Sequence, residues 1–246
     1  HISQKLTNEQ RLLCEGPLTA TECKRALDGM ASSKSPGIDG LPAEFYQRFW
    51  TVLGEDYVAV MNYGITTGKL SATQRSGIIT LLHKRGDPLN MKNWRPITLL
   101  CVDYKIAAKA LANRLPTVLP SVIHTDQTCG VPGRNPSENC RLLKDLVLDA
   151  NTRQTGAAVL SLDQEKAFDR VDWAYLQRVL RAMNFGEGFC QWVSLLYSRI
   201  SSSVLVNGEL SSPFQVSRGV RQGCPLSPLL YVIIAETIAC AIRADP

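Results

Sequence analysis

The feature that most constrains this chain is the stretch from Ala157 to Asp169. Ala157 to Leu162 is apolar but for Ser161, and the run ends in a carboxylate, Asp163. A short apolar run of this kind predicts a buried strand. Phe168 follows five residues after Asp163, and an amphipathic helix is expected from Val171 to Met183, stopped by Gly186. A strand that delivers one Asp at its end is one way to hold a divalent cation against phosphate oxygens. Magnesium favours one or two carboxylates together with substrate phosphates. The alternative is an Asp that simply caps the following turn. Glu165, Asp169 and Asp172 also follow, and acidic side chains in a first helical turn serve the helix dipole.

Three other groups of residues carry chemistry. Gly77 to Leu82 and Arg95 to Leu100 read as paired strands around a basic turn, which places Lys84 and Arg95 near one hairpin tip. There they are either a solvated basic tip or a clamp on a triphosphate, with Arg binding bidentately and Lys as a point charge. Arg221-Gln222-Gly223 lies between a strand and a helix. A Gly there lets backbone approach a ligand, and Gln222 offers both a donor and an acceptor to a nucleotide or base edge. The same three residues also suit a plain helix-entry turn. Lys34, before Pro36-Gly37, is a weaker candidate for a backbone phosphate. Phe168 is either core packing or a flat wall beneath a nucleotide sugar, where its ring would clash with a 2′-hydroxyl.

Composition narrows the classes. The 246 residues are 45% hydrophobic and 20% charged, with 27 Lys and Arg against 22 Asp and Glu. This suits a globular chain with a polyanionic partner, without requiring one. The eight Cys include no Cys-x-x-Cys pair, so they read as small buried hydrophobes rather than a zinc site or disulfide framework. His1, His83 and His124 lack metal-ligand spacing. The most apolar segment, Leu229 to Ile242, is interrupted by Glu236 and reads as a buried helix, so no membrane span is expected.

The remaining pattern is mixed. Thr19 with Glu22 forms a capping-box signal for a helix ending near Gly29. Helices are expected over 41–53, 57–65, 102–119, 137–150 and 189–197, and after Ser227-Pro228. Asn207-Gly208 signals a type I′ hairpin. The expected fold class is α+β.

Taken together, these blocks resemble the reverse transcriptase domain of non-LTR (LINE-type) retrotransposons. Lys34-Ser35-Pro36-Gly37-Ile38-Asp39-Gly40-Leu41-Pro42-Ala43-Glu44-Phe45-Tyr46 is similar to the first fingers block. Asn93-Trp94-Arg95-Pro96-Ile97-Thr98-Leu99-Leu100, continuing to Asn113-Arg114-Leu115, is similar to the second. His124-Thr125-Asp126-Gln127-Thr128 with Gly130-Val131-Pro132-Gly133-Arg134 follows. Leu162-Asp163 to Phe168-Asp169, and then Gly219 with Arg221-Gln222-Gly223-Cys224-Pro225-Leu226-Ser227-Pro228, resemble two palm motifs. The blocks stand in family order from about Leu18 onward. Group II intron enzymes and telomerase are poorer matches at the arginine-proline block.

The resemblance implies a right-hand polymerase fold, with an N-terminal extension over 1–17, fingers over 18–155 and a partial palm over 156–246. It implies Asp163 as a catalytic metal carboxylate, helped by the backbone carbonyl of Gln164, and Mg2+, or Mn2+, as the ion. Phe168 would be the steric gate. Lys84 and Arg95 would contact the triphosphate, Gln222 and Gly223 would line the nucleotide pocket, and Lys34 and Arg221 would meet the template. Partners would be an RNA template, a DNA primer and deoxynucleoside triphosphates, with nuclear residence. The sequence contains no adjacent Asp pair, so the family's aromatic-x-Asp-Asp motif is expected downstream, and the chain is read as a segment of a longer protein. Alone it is expected to be inactive. The alternative is a catalytically dead RNA-binding remnant of a truncated element.

Overall fold

The computed structural model describes Ile2 and residues 4–245; His1, named above, lies outside the described residues, as does the last position of the 156–246 range. Helices α1 (Asn8–Cys14), α2 (Ala20–Asp28) and α3 (Ala43–Thr67) lead into a short α4 (Ala72–Arg75). Strands β1 (Ser76–His83) and β2 (Trp94–Leu100) follow, then α5 (Val102–Arg114), α6 (Leu119–Val122) and α7 (Pro136–Arg153). After α8 (Trp173–Ala182) and α9 (Glu187–Tyr197) come β3 (Ser201–Val206), β4 (Glu209–Leu210), β5 (Phe214–Gln215) and α10 (Ser227–Arg243).

The five strands form one mixed sheet. Its order is β2-β1-β3-β4, with β5 paired to the other side of β3's start. The expected hairpin is present: β1 and β2 are antiparallel, with Leu82 opposite Arg95 and His83 opposite Trp94. Lys84 extends it, its N–H donating to the Asn93 carbonyl at 2.8 Å. Asn207 and Gly208 take positive φ of 51° and 85°, as a type I′ turn needs. The parallel pairing of β1 with β3 joins segments some 120 residues apart and has no local sequence signal.

Several expectations are corrected by packing. The two helices expected over 41–53 and 57–65 are one helix, α3. Gly54 does not break it; that glycine is buried under Trp50, whose indole would lie 2.9 Å from a Cβ there. Burial of Trp50, Tyr57 and Met61 on either side in the core offsets the roughly 1 kcal/mol helix penalty of a glycine. The helix expected over 102–119 stops at Arg114, because Pro116 and Pro120 lack the N–H that an α-helix interior requires.

The largest correction is at Ala157–Leu162, which is not a strand. No strand lies beside it among the described residues, so its backbone stays unpaired, and Leu160 and Leu162 are 81% and 74% exposed. A strand is stabilised by cross-strand partners, not by its own residues. Neighbouring α7 likewise buries none of its side chains.

Arginines hold the loops onto the helical core. Arg114 at the end of α5 is buried and donates to the carbonyls of Cys14, Glu15, Gly16 and Pro17 and to the carboxylate of Glu22. Arg134 in the same way donates to the carbonyls of Pro120, Ile123, His124 and Gln127. Glu15 supplies α9 with the cap its own Gly186 lacks, accepting from the N–H groups of Gly188 and Phe189 at 3.0 Å each.

Burial pushes the Glu22 carboxyl up, but hydrogen bonds and charge from Arg114, with help from Thr19, outweigh it and hold the group below its usual value. A depressed carboxylate stabilises above its unfolded pKa and loses that contribution as pH falls through the folded one. Arg114→Ala is expected to cost about 3–5 kcal/mol, as removing one member of a buried pair does. Thermal melts taken from neutral to acid pH check both points: the wild-type melting temperature falls below the normal carboxylate range, and the variant starts lower with a shallower acid limb.

Candidate functional site

The site is organised by the backbone of one loop, residues 219–224. The N–H of Gly219 donates to the Val171 carbonyl at 2.7 Å, and that of Val220 to the Phe168 carbonyl at 2.8 Å. The Gln222 carbonyl in turn accepts from the N–H of Thr98 on β2 at 2.7 Å. The indole N–H of Trp173 donates to the Gly219 carbonyl at 2.8 Å. One short loop therefore joins the turn bearing Phe168 to the hairpin bearing Arg95. Gly223 makes the approach possible. Its φ is +120°, and a Cβ would lie 2.3 Å from the Thr98 carbonyl oxygen.

Arg221 lies elsewhere than a template contact requires. It is 5% exposed, with its guanidinium turned into the core. One nitrogen donates to the Arg75 carbonyl at 2.5 Å, and the group lies 5.5 Å from the centre of the Tyr104 ring. Nε and Nη1 have no partner, so cation–π attraction to Tyr104 and the Arg75 contact are what retain it there. It roots the loop from beneath.

The other expected residues fall on the surface around that loop. Lys84 and Arg95 are exposed at the hairpin tip. Phe168 is half-buried in a short 3-10 turn over Ala167–Arg170, its ring 5.1 Å from that of Tyr231. The Gln222 amide donates to Asp169 at 3.3 Å. Asp163 and Gln164 are exposed. Three of the four acids here have structural partners: Glu165 pairs with Arg170, Asp169 accepts from Gln222, and Asp172 caps α8 through the Tyr175 N–H. Among the described residues the Asp163 carboxylate accepts no hydrogen bond. That leaves a hard oxygen donor of the kind magnesium prefers. Lys34 lines a cavity of about 230 Å3 together with Lys105, Lys109 and Pro225.

Two features had no clear signal in the sequence. Asp39, Cys101 and Asp103 bring three possible ligand atoms within 4.8 Å of one another. Each carboxylate already accepts a hydrogen bond, Asp39 from the Leu41 N–H and Asp103 from the Gln74 amide. Burial raises the Asp103 pKa against the opposing hydrogen bonds of Gln74 and Tyr104. The second feature is Tyr231, whose hydroxyl donates to Gln164 Oε1 at 2.6 Å. Its only trace in the sequence is a polar-tipped ring within the aliphatic run Leu229–Ile234.

The profile of the family described as "Reverse transcriptase (RNA-dependent DNA polymerase)" matches residues 82–245. The chain belongs to the reverse transcriptase family. It is 45% identical over 229 residues to the transposon TX1 uncharacterized 149 kDa protein of Xenopus laevis, covering 93% of this chain and 18% of that one. It is 28% identical to a Pol polyprotein from the type-1 retrotransposable element R2 of Popillia japonica, over 94% of this chain and 31% of that one. It is 26% identical to the RNA-directed DNA polymerase from mobile element jockey of Drosophila melanogaster, over 89% and 24%. These relatives bear out the non-LTR resemblance of the motifs. The chain spans less than a third of the length of each.

Gly223→Ala combines a positive φ with a steric clash against β2, and strain of this kind costs about 1–3 kcal/mol. The variant is expected to melt at a lower temperature and to expose the loop to proteolysis. Asp163→Asn, on the exposed side, is expected to change stability by no more than about 0.5 kcal/mol. Urea denaturation of the two variants beside wild type measures the contrast.

Proposed function

We propose that this chain is the fingers and first palm portion of an RNA-directed DNA polymerase from a non-LTR element. It would extend a DNA primer on an RNA template with deoxynucleoside triphosphates, in the nucleus. The observation that carries the reading is the 219–224 loop, whose three main-chain hydrogen bonds gather Phe168, Gln222 and the Arg95 hairpin around one surface. In this reading residues 1–17 are an extension, 18–155 the fingers and 156–246 the start of the palm of a right hand.

The family works with divalent metal ions, and here Mg2+, or Mn2+, is the proposed ion. The Asp163 carboxylate and the Gln164 backbone carbonyl would hold it; both are oxygen donors, as such an ion requires. When bound, the ion neutralises phosphate charge and favours the attacking oxygen. Arg95 grips the triphosphate through paired N–H groups and Lys84 adds a mobile charge. The Phe168 ring occupies the space a 2′-hydroxyl would need. Gln222, aligned by Asp169, offers its amide to the nucleotide. Lys34, with Lys105 and Lys109 beside it, meets template phosphates, which bind without sequence preference. Arg221 serves by rooting the loop rather than by touching the template.

The test is magnesium-dependent primer extension on an RNA template by the protein encoded by the whole reading frame containing this chain. Extension is expected, with loss of at least about a hundredfold in Asp163→Asn, the order seen when one charge-stabilising group is removed. Residues 1–246 alone are expected to give no product, since one carboxylate does not hold the pair of ions that such a transfer uses. Extension that survives Asp163→Asn overturns the assignment.

A further inference from the structure

Tyr231 touches two of the proposed working residues at once. Its ring packs on Phe168, with centroids 5.1 Å apart and planes at 47°. Its hydroxyl donates to the side-chain oxygen of Gln164 at 2.6 Å. Burial raises the hydroxyl pKa, and the negative charge of nearby Asp163 raises it further. The base of Tyr231 is fixed. Leu226, Ser227 and Leu230 are fully buried, and the Ser227 hydroxyl lies 3.1 Å from that of buried Tyr197. Phe168 is set less firmly: its carbonyl accepts from the Val220 N–H, but its ring is only half-buried against the core. It sits in a four-residue 3-10 turn entered through Lys166 at φ 51°. Among the described aromatic pairs its ring meets only Tyr231.

We propose that Tyr231 is a positioning residue that sets both sugar selection and metal affinity: its ring fixes how far Phe168 projects, and its hydroxyl holds Gln164 beside Asp163. The proposal rests on the polymerase reading above. A gate works through the height of its ring, so the residue beneath it decides whether a 2′-hydroxyl fits. Removing that support leaves space into which Phe168 sinks. Removing only the hydroxyl frees the Gln164 side chain and the segment carrying Asp163, while the gate stays in place. The two effects are therefore separable in one residue.

Single-nucleotide insertion by the full-length protein, comparing a deoxynucleotide with the matching ribonucleotide, tests this. Tyr231→Ala is expected to lose at least about tenfold of the sugar discrimination, the low end of what one small group is worth in a fitted pocket. Tyr231→Phe is expected to restore discrimination and to weaken magnesium binding, read by calorimetric titration without substrate, by about tenfold, with a matching rise in the magnesium concentration for half-maximal rate, as loss of a partner behind a metal ligand does. Should Tyr231→Ala not fold by circular dichroism, Tyr231→Leu, which keeps bulk but no flat ring, takes its place with the same expected loss. Unchanged sugar discrimination in the folded alanine or leucine variant, or a fall in kcat alone, overturns the gate-support role. An unchanged magnesium requirement in Tyr231→Phe overturns the hydroxyl's role. If the wild type extends no primer, the polymerase reading itself falls and takes this proposal with it; active wild type with unaltered variants removes the proposal alone.

Discussion

The arrangement depends on backbone hydrogen bonds made by residues 219–222 to two segments far away in sequence, the Phe168 turn on one side and β2 on the other. These bonds are buried between packed elements, where an unmade partner costs more than a made one contributes. Each of the three bonds uses a main-chain group, which leaves the Gln222 side chain at the surface while Val220, Arg221 and Cys224 are buried. Gly219 and Gly223 supply the positive φ angles that the path requires, and Gly223 also supplies the absence of a Cβ against Thr98. Arg221, turned inward onto Tyr104 and the Arg75 carbonyl, holds the loop from below. The pair of partnerless guanidinium nitrogens is the energetic cost of that anchor, and it stays tolerable because a guanidinium is weakly hydrated and stacks on aromatic faces.

Around this centre the molecule repeats one device. Arginines whose guanidinium groups face inward collect carbonyls from loops that have no ladder of their own: Arg114 gathers Cys14 to Pro17, and Arg134 gathers Pro120 to Gln127. Arg243 at the end of α10 does the same with side chains, bridging Asp126 to buried Glu236. Five donors in a rigid fork suit this work in a way that a lysine does not. It follows that a count of basic residues overstates the charge available to a polyanion, because Arg114 and Arg221 are buried and Arg134 and Arg243 are engaged by carbonyls and carboxylates. The exposed Lys84, Arg95 and Lys34 remain available for phosphate.

The apolar surface of α7 and of Val159 to Leu162 marks where the packing is least complete among the described residues. Asp163 sits at the end of that unpaired segment. Its position is held chiefly through Gln164 and the Phe168 turn, both of which meet Tyr231 on α10. The proposed metal ligand and the proposed sugar gate would thus share one support.

Local chemistry determined the capping box at Thr19, the β1–β2 hairpin with Lys84 and Arg95 at its tip, the type I′ turn at Asn207-Gly208 and the placing of Pro228 in the first turn of α10, although Ser227 is the first residue of that helix and not its cap. Each rests on residues within a few positions of one another, so propensity and turn geometry suffice. The ordered motifs likewise determined the family, because they record chemistry rather than shape. What only the tertiary structure decided involves partners distant in sequence. Gly54 lies within one long helix because Trp50, Tyr57 and Met61 on either side of it are buried in the shared core. Arg221 turns inward because Tyr104 and Arg75 wait there. Val159 to Leu162 stays irregular because no strand lies alongside among the described residues, although its residues favour one. Tyr231 meets Gln164 and Phe168 only when α10 folds back over them. A strand's periodicity and an arginine's charge state a preference; the elements packed against them decide whether it is satisfied.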